Sequence, residues 1–182
     1  MEMENKNIIY FTKIREVKSP VRANSHDAGI DFFIPKLDEQ FWKDFMDKNP
    51  QYQSEPSDCI TILPGERVLI PSGIKVWINP KESALIAANK SGLASKRGLV
   101  FTAEVVDADY TGEVHIGILN TSSEKYNMGN ATHYLYGGDK AIQFVHTPVI
   151  LSNMTEINQV QYFELTCSSD RGEGGFGSTD KQ

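Results

Sequence analysis

The chain has 182 residues, of which 40% are hydrophobic and 23% charged, and it carries a formal net charge of −6. That length suits one domain, or one domain with an insertion, of ordinary soluble composition. The acidic balance argues against a broad nucleic-acid-binding surface, which needs a basic footprint, and no apolar run approaches the ~20 residues of a membrane span.

The first seven residues are polar and partly acidic, unlike a secretory signal. Cys59 and Cys167 lie far apart, show no metal-ligand spacing and read as reduced thiols. A soluble, cytoplasmic protein is the expectation. Short apolar runs rich in β-branched and aromatic residues follow at 8–14, 30–34, 60–63, 67–70, 74–78, 84–88, 114–119, 142–145 and 160–165. Pro64-Gly65 suits the centre of a type II turn and Ser72-Gly73 marks another. Many short strands without alternating helices predict an all-β sandwich or barrel.

One segment breaks the pattern. Leu37, Phe41, Trp42, Phe45 and Met46 recur at helical spacing, with Asp38, Glu39, Lys43, Asp44 and Asp47 between them. This predicts an amphipathic helix that stops near Asn49-Pro50, because proline disfavours helix in the residue before it. Residues 36–59 therefore read as an insertion in a β-domain, with the apolar stripe packed on its own sheet.

Five segments carry chemistry. Asp27-Ala28-Gly29-Ile30-Asp31 is a turn feeding a strand. The stretch Asn89-Lys90-Ser91-Gly92-Leu93-Ala94-Ser95-Lys96-Arg97-Gly98 places three cations, two serines and two glycines after an apolar strand, which suits phosphate binding as well as a solvated basic turn. In Val105-Val106-Asp107-Ala108-Asp109-Tyr110-Thr111-Gly112-Glu113, two carboxylates one residue apart would share a strand face, favouring a general base or metal attraction. An Asp-rich turn is the plainer reading. Gly138-Asp139-Lys140-Ala141-Ile142-Gln143 is another turn before a strand. The tail Arg171-Gly172-Glu173-Gly174-Gly175-Phe176-Gly177-Ser178-Thr179-Asp180 has four glycines within six residues. Its amides could cradle an anion, Arg171 offers a fork for phosphate and Phe176 a face for a base. A disordered terminus has the same composition.

In order, these segments closely resemble the five motifs of the trimeric dUTPases, deoxyuridine triphosphate nucleotidohydrolases, from about residue 8 to 179. The resemblance implies a jelly-roll-like, all-β subunit: a β-domain over 1–170 and a flexible arm over 171–182 that closes over an active site of a homotrimer. It implies Mg²⁺-assisted hydrolysis of dUTP to dUMP and pyrophosphate, limiting uracil in DNA and supplying dUMP for dTMP synthesis. Asp107 would be the general base, and Asp31 would hold a water bound to Mg²⁺. Tyr110 would stack under the deoxyribose, and backbone groups of a strand pair over 99–106, Val106 included, would read uracil. Lys90, Ser91, Gly92 and Gln143 would hold phosphates. Arg171, Gly177, Ser178 and Thr179 would close on the γ-phosphate end and Phe176 would cover the base.

Two positions depart from the family pattern: Lys90 and Lys140 stand where arginine is usual, keeping the charge without the bidentate fork. The segment 121–137 is also longer than is typical. A related dCTP deaminase is the enzymatic alternative. A protein that engages a regulatory partner through the insertion or the long loop is the non-enzymatic one.

Overall fold

A computed structural model describes residues 7–122, 131–170 and Gly172. Its elements, in chain order, are β1 (Ile8–Lys13), β2 (Gly29–Phe33), α1 (Glu39–Lys48), β3 (Cys59–Ile62), β4 (Arg67–Asn79), β5 (Ser83–Ala88), α2 (Ser91–Arg97), β6 (Leu99–Phe101), β7 (Val105–Asp107), β8 (Glu113–Asn120), β9 (His133–Tyr136), β10 (Lys140–Pro148) and α3 (Gln159–Thr166). The chain divides into two compact units, Met1–Ile150 and Leu151–Gln182. Among the described residues no helix is long and apolar enough to cross a membrane.

The first unit holds two four-stranded sheets, ordered β1-β4-β8-β6 and β2-β10-β5-β7, and a two-stranded sheet β3-β9. Every described pairing between these strands is antiparallel. Strand side chains alternate between faces, and the inward set from both large sheets, including Ile70, Ile74, Leu85, Ile116, Ile118 and Phe144, forms one apolar cluster. The all-β expectation is met at the level of a mostly β protein with a few helices.

The turn expected at Ser72-Gly73 is instead a bulge inside one long strand. The pairing of β4 with β8 shifts between Pro71 and Lys75. Pro71 has no N–H to lose from a ladder, and Gly73 adopts φ 74°, which disfavours a side chain. The Gly73 amide donates to Glu113 Oε1 at 2.7 Å, and its carbonyl accepts from the Ile14 amide at 2.8 Å. The Pro64-Gly65 turn is present: the Glu66 amide reaches the Leu63 carbonyl at 3.0 Å around Gly65 at φ 77°.

The amphipathic helix expected within residues 36–59 is present as α1. Asp38 caps α1 by accepting from the Phe41 amide at 2.9 Å, and the helix ends at Asn49, before Pro50. Phe41, Trp42 and Phe45 are buried in the main core; Phe41 stacks on Phe45, and Tyr52 meets Phe45 edge-on and Trp42 at a tilt. Between Arg67 and Pro71, β4 has β8 on one side, while β1 pairs only with residues from Ile74 onward. Insertion side chains cover the open edge. Gln51 donates to the Arg67 carbonyl at 3.0 Å. Asn49 donates to the Leu69 carbonyl at 2.8 Å and accepts from the Leu69 amide at 2.7 Å. Arg15 clamps the helix to the bulge, bonding Asp44 at 2.6 Å and Glu113 at 2.9 Å. The Glu113 hydrogen bonds hold the Arg15 guanidinium more firmly charged, against the effect of its burial.

Two segments are helical against expectation. The basic stretch after β5 forms α2, closed by Gly98 in the left-handed region at φ 63°. The run at 160–165, read as a strand, is α3. Asn158 and Gln161 form a reciprocal capping box that satisfies the first amides of the helix.

Asn49→Ala should destabilise the protein by about 1–3 kcal/mol, because it strands part-buried Leu69 backbone groups. Asp44→Ala should cost at most about 1 kcal/mol, since that ion pair is partly solvated. Urea melts of the two variants check the order; equal effects would show that the edge cover contributes nothing special.

Candidate active site

The first part of the site lies across the β2-β10-β5 sheet. Register places Gln143 opposite Asp31 on one side and opposite Ala88 on the other. The chain leaves β5 at Ala88, runs through Asn89 and Lys90, and enters α2. Gln143 Nε2 donates to the Asn89 carbonyl at 3.1 Å, and Asn89 Oδ1 accepts from the Phe101 amide at 3.1 Å, so the turn is pinned from two sides. A cleft of about 420 Å³ results, lined by Lys90, Ser91, Gly92, Arg97, Lys140 and Gln143. Ser91 and Gly92 open α2, where the first amides of any α-helix lack an intrahelical partner.

Asp31 sits beneath this cleft, 4% exposed, the one buried carboxylate among the described residues. Its backbone is fixed by reciprocal bonds with Val21 at 2.8 and 3.1 Å. One carboxylate oxygen meets Lys90 Nζ at 2.5 Å and the other Lys140 Nζ at 2.7 Å. Burial pushes the Asp31 carboxyl up, but the hydrogen bonds from Lys140 and Lys90 outweigh it and hold the carboxyl below the usual value of 3.8. Two cations hold the one carboxylate and Arg97 adds a third cation to the cleft lining, a balance that suits a polyanion.

The second part lies at the end of β7. Val106, Asp107, Tyr110, Val114, His115 and Phe144 line a smaller recess of about 180 Å³. The Tyr110 hydroxyl donates to the Glu113 carbonyl at 2.9 Å, and the residue stays 43% exposed. Asp109 does not share a strand face with Asp107. The strand ends at Asp107 and a turn follows, closed by the Tyr110 amide on the Asp107 carbonyl at 3.1 Å, so the alternation behind that expectation stops. Nor do residues 99–106 form a strand pair: β6 joins the β8 edge of one sheet and β7 the β5 edge of the other. Ala103, from the crossover between them, and Val105, the first residue of β7, also line the recess.

The chain does not bring its two parts together. Asp107 stands opposite Ala84 of β5, whereas Gln143 stands opposite Ala88. Four residues along β5 amount to roughly 13 Å, and two strand spacings add about 10 Å sideways. Among the described residues no cluster of three or more His, Cys, Asp or Glu side chains could hold a metal. Arg171, Phe176, Gly177, Ser178 and Thr179 lie outside the described residues. The sequence reading did not include Arg97, Lys140, His115 or Phe144 among the site residues. Lys140 had a visible signal, its unusual place in the fourth segment, but its pairing with Asp31 bridges strands distant in sequence.

Residues 54–180 match the sequence family described as dUTPase. A deoxyuridine 5'-triphosphate nucleotidohydrolase of Acinetobacter baumannii is 35% identical over 127 residues, covering 69% of this chain and 76% of that protein. The Staphylococcus bacteriophage 80alpha dUTPase, solved with dUPNHPP, superposes with a TM-score of 0.71 at 20% identity, covering 95% of this chain and 98% of that one. A point mutant of the dUTPase from phage phi11 of S. aureus, whose structure reveals the coordination of a structural Mg(II) ion, gives a TM-score of 0.65 at 20% identity over 85% of this chain and 99% of that one. The sequence match begins after Asp31, while the structural likeness takes in nearly the whole chain.

Asp31→Asn should make stability less dependent on acid. With its folded-state carboxyl below 3.8, the unfolded chain takes up the proton first as pH falls. The stabilisation from Asp31 is therefore complete above that value and disappears on further acidification. Melting temperatures of the wild type and variant should converge as pH falls through and below 3.8; a constant gap would show that the ion triad does not stabilise the fold.

Proposed function

The chain belongs to the dUTPase family, and on that premise we propose that it hydrolyses dUTP to dUMP and pyrophosphate. The observation that carries this reading is the β7 recess, where the Asp107 carboxylate and the half-exposed Tyr110 ring share a small pocket with Val106, Val114 and Phe144. Such a recess suits a nucleoside better than a polyphosphate. The cationic cleft at the other end of β5 suits the polyphosphate.

Asp107 takes a proton from the water that attacks the α-phosphorus in line, and the pyrophosphate leaves on the opposite side. Tyr110 stacks under the deoxyribose and leaves no room for a 2′-hydroxyl. Backbone groups of residues 99–106, Val106 included, read the uracil edge, and the pocket excludes the thymine methyl group. Lys90, Ser91, Gly92 and Gln143 hold phosphates. Arg171, Gly177, Ser178 and Thr179 close on the γ-phosphate end, with Phe176 over the base. Bound with the triphosphate, Mg²⁺ would supply charge neutralisation, and Asp31 is the residue that would hold it, through a water.

The separation of recess and cleft within one chain supports assembly of each site from several subunits of a jelly-roll homotrimer, with the 171–182 arm of one closing the site of others. The alternative, engagement of a regulatory protein through the insertion, gains no support from α1, whose apolar face is already buried in its own core.

A panel of dUTP, dCTP, dTTP and UTP should yield pyrophosphate from dUTP alone and ammonia from none; ammonia from dCTP would favour the deaminase. Asp107→Asn should lower turnover by roughly 10²–10⁴-fold while still binding a non-hydrolysable dUTP analogue. A near-native rate would remove Asp107 from the role of base.

Truncation before Arg171 should leave the melting temperature unchanged and strongly reduce hydrolysis. Mixing the truncated chain with Asp107→Asn under subunit-exchange conditions should restore some activity, and no recovery despite exchange would count against a shared site.

A further inference from the structure

Lys90 and Lys140 both bind Asp31, yet their situations differ. The Lys140 side chain is 46% exposed and that of Lys90 24%, above a carboxylate only 5% exposed. Asp31 cannot follow a moving partner, because its backbone is locked to Val21 on one side and to the β10 ladder on the other. Lys140 starts β10 beside a local irregularity in that ladder, after a turn fixed by Asp139 accepting from the Tyr136 amide at 2.8 Å. Its backbone is held, while its long side chain lies along the rim of the cleft that also holds Ser91, Gly92, Arg97 and Gln143. The charged groups bonded to Asp31 among the described residues are thus two ammoniums, and Arg97 lines the same cleft as both. With both ammoniums seated, the triad carries a net single positive charge and repels a divalent cation. With Lys140 withdrawn, it is neutral.

We propose that Lys140 is a positioning residue that changes partner: it neutralises Asp31 in the free protein and moves to the phosphate chain when a nucleoside triphosphate enters. The move makes Asp31 available to a hydrated cation only when the polyanion is present. The inference rests on the dUTP reading and adds a role for Lys140 that the departure from arginine makes practicable. A lysine ammonium is a compact point charge on a flexible stem, whereas a guanidinium fork engaged with a carboxylate is held by two bonds at once.

The test is a double-mutant cycle of Asp31→Asn and Lys140→Gln, read by thermal melting with and without a saturating non-hydrolysable dUTP analogue. Coupling between the two positions should be present in the free protein and vanish in the complex. Calorimetric titration with the same analogue should show Lys140→Gln binding about tenfold more weakly than wild type, as expected for loss of one charged hydrogen bond. Lys140→Arg should restore the affinity but retain the Asp31 coupling in the complex. Undiminished coupling in the wild-type background, or native affinity in Lys140→Gln, would overturn the partner exchange. Should Asp31→Asn fail to fold, the titrations decide alone. A wild-type protein that neither binds the analogue nor hydrolyses dUTP would overturn the functional reading itself. Wild-type hydrolysis together with an indifferent Lys140→Gln would overturn only the role of Lys140.

Discussion

The register of β10 between β2 and β5 is the constraint on which the cleft depends. It aligns Asp31, Gln143 and Ala88 in one row across three strands, and that row delivers Asn89 and Lys90 beside Asp31. Because strand side chains alternate with period two, a slip of one residue would turn Gln143 to the opposite face and bring Phe144 out of the core. The buried Phe32–Phe144 edge-to-face pair, 4.8 Å between centroids, opposes such a slip. Apolar packing below the sheet thus sets the polar geometry above it.

A second row, at the other end of β5, is fixed by the same strand. Ala84 opposes Asp107, and the β7 edge closes the recess. One short strand with small residues at both ends therefore spaces the two halves of the site. That spacing is rigid, since β5 is flanked on both sides and Leu85 is fully buried.

Much of this was legible in the sequence because it is local. Strand positions followed from alternation and turn residues, and α1 from its apolar period and its stop before Pro50. The misreadings have distinct causes. At Ser72-Gly73 a turn signal was in fact a bulge, a difference decided by Arg15 and Glu113, which are remote in sequence. At 160–165 the aromatic and β-branched content suggested a strand, although Asn158 and Gln161 already spelled a helix start. The pairing of Asp109 with Asp107 failed because a strand end cannot be located to one residue from its composition. The individual residues of the cleft were visible, but the Asp31 triad was not. An ion pair between strands is a product of topology, and no spacing along the chain encodes it.

The edge cover supplied by Asn49 and Gln51 has a consequence for how this fold could have acquired its extra segment. An exposed run of unpaired strand groups is a template onto which another chain can add. Residues 67–69 of β4 would be such a run without the two amide side chains. The helix and the strand edge it shields are therefore mutually dependent: a shorter ancestor or an excised variant would need another cover for that edge, or risk polymerising through it. Residues 49–51 thus act as a cap on an edge of their own sheet.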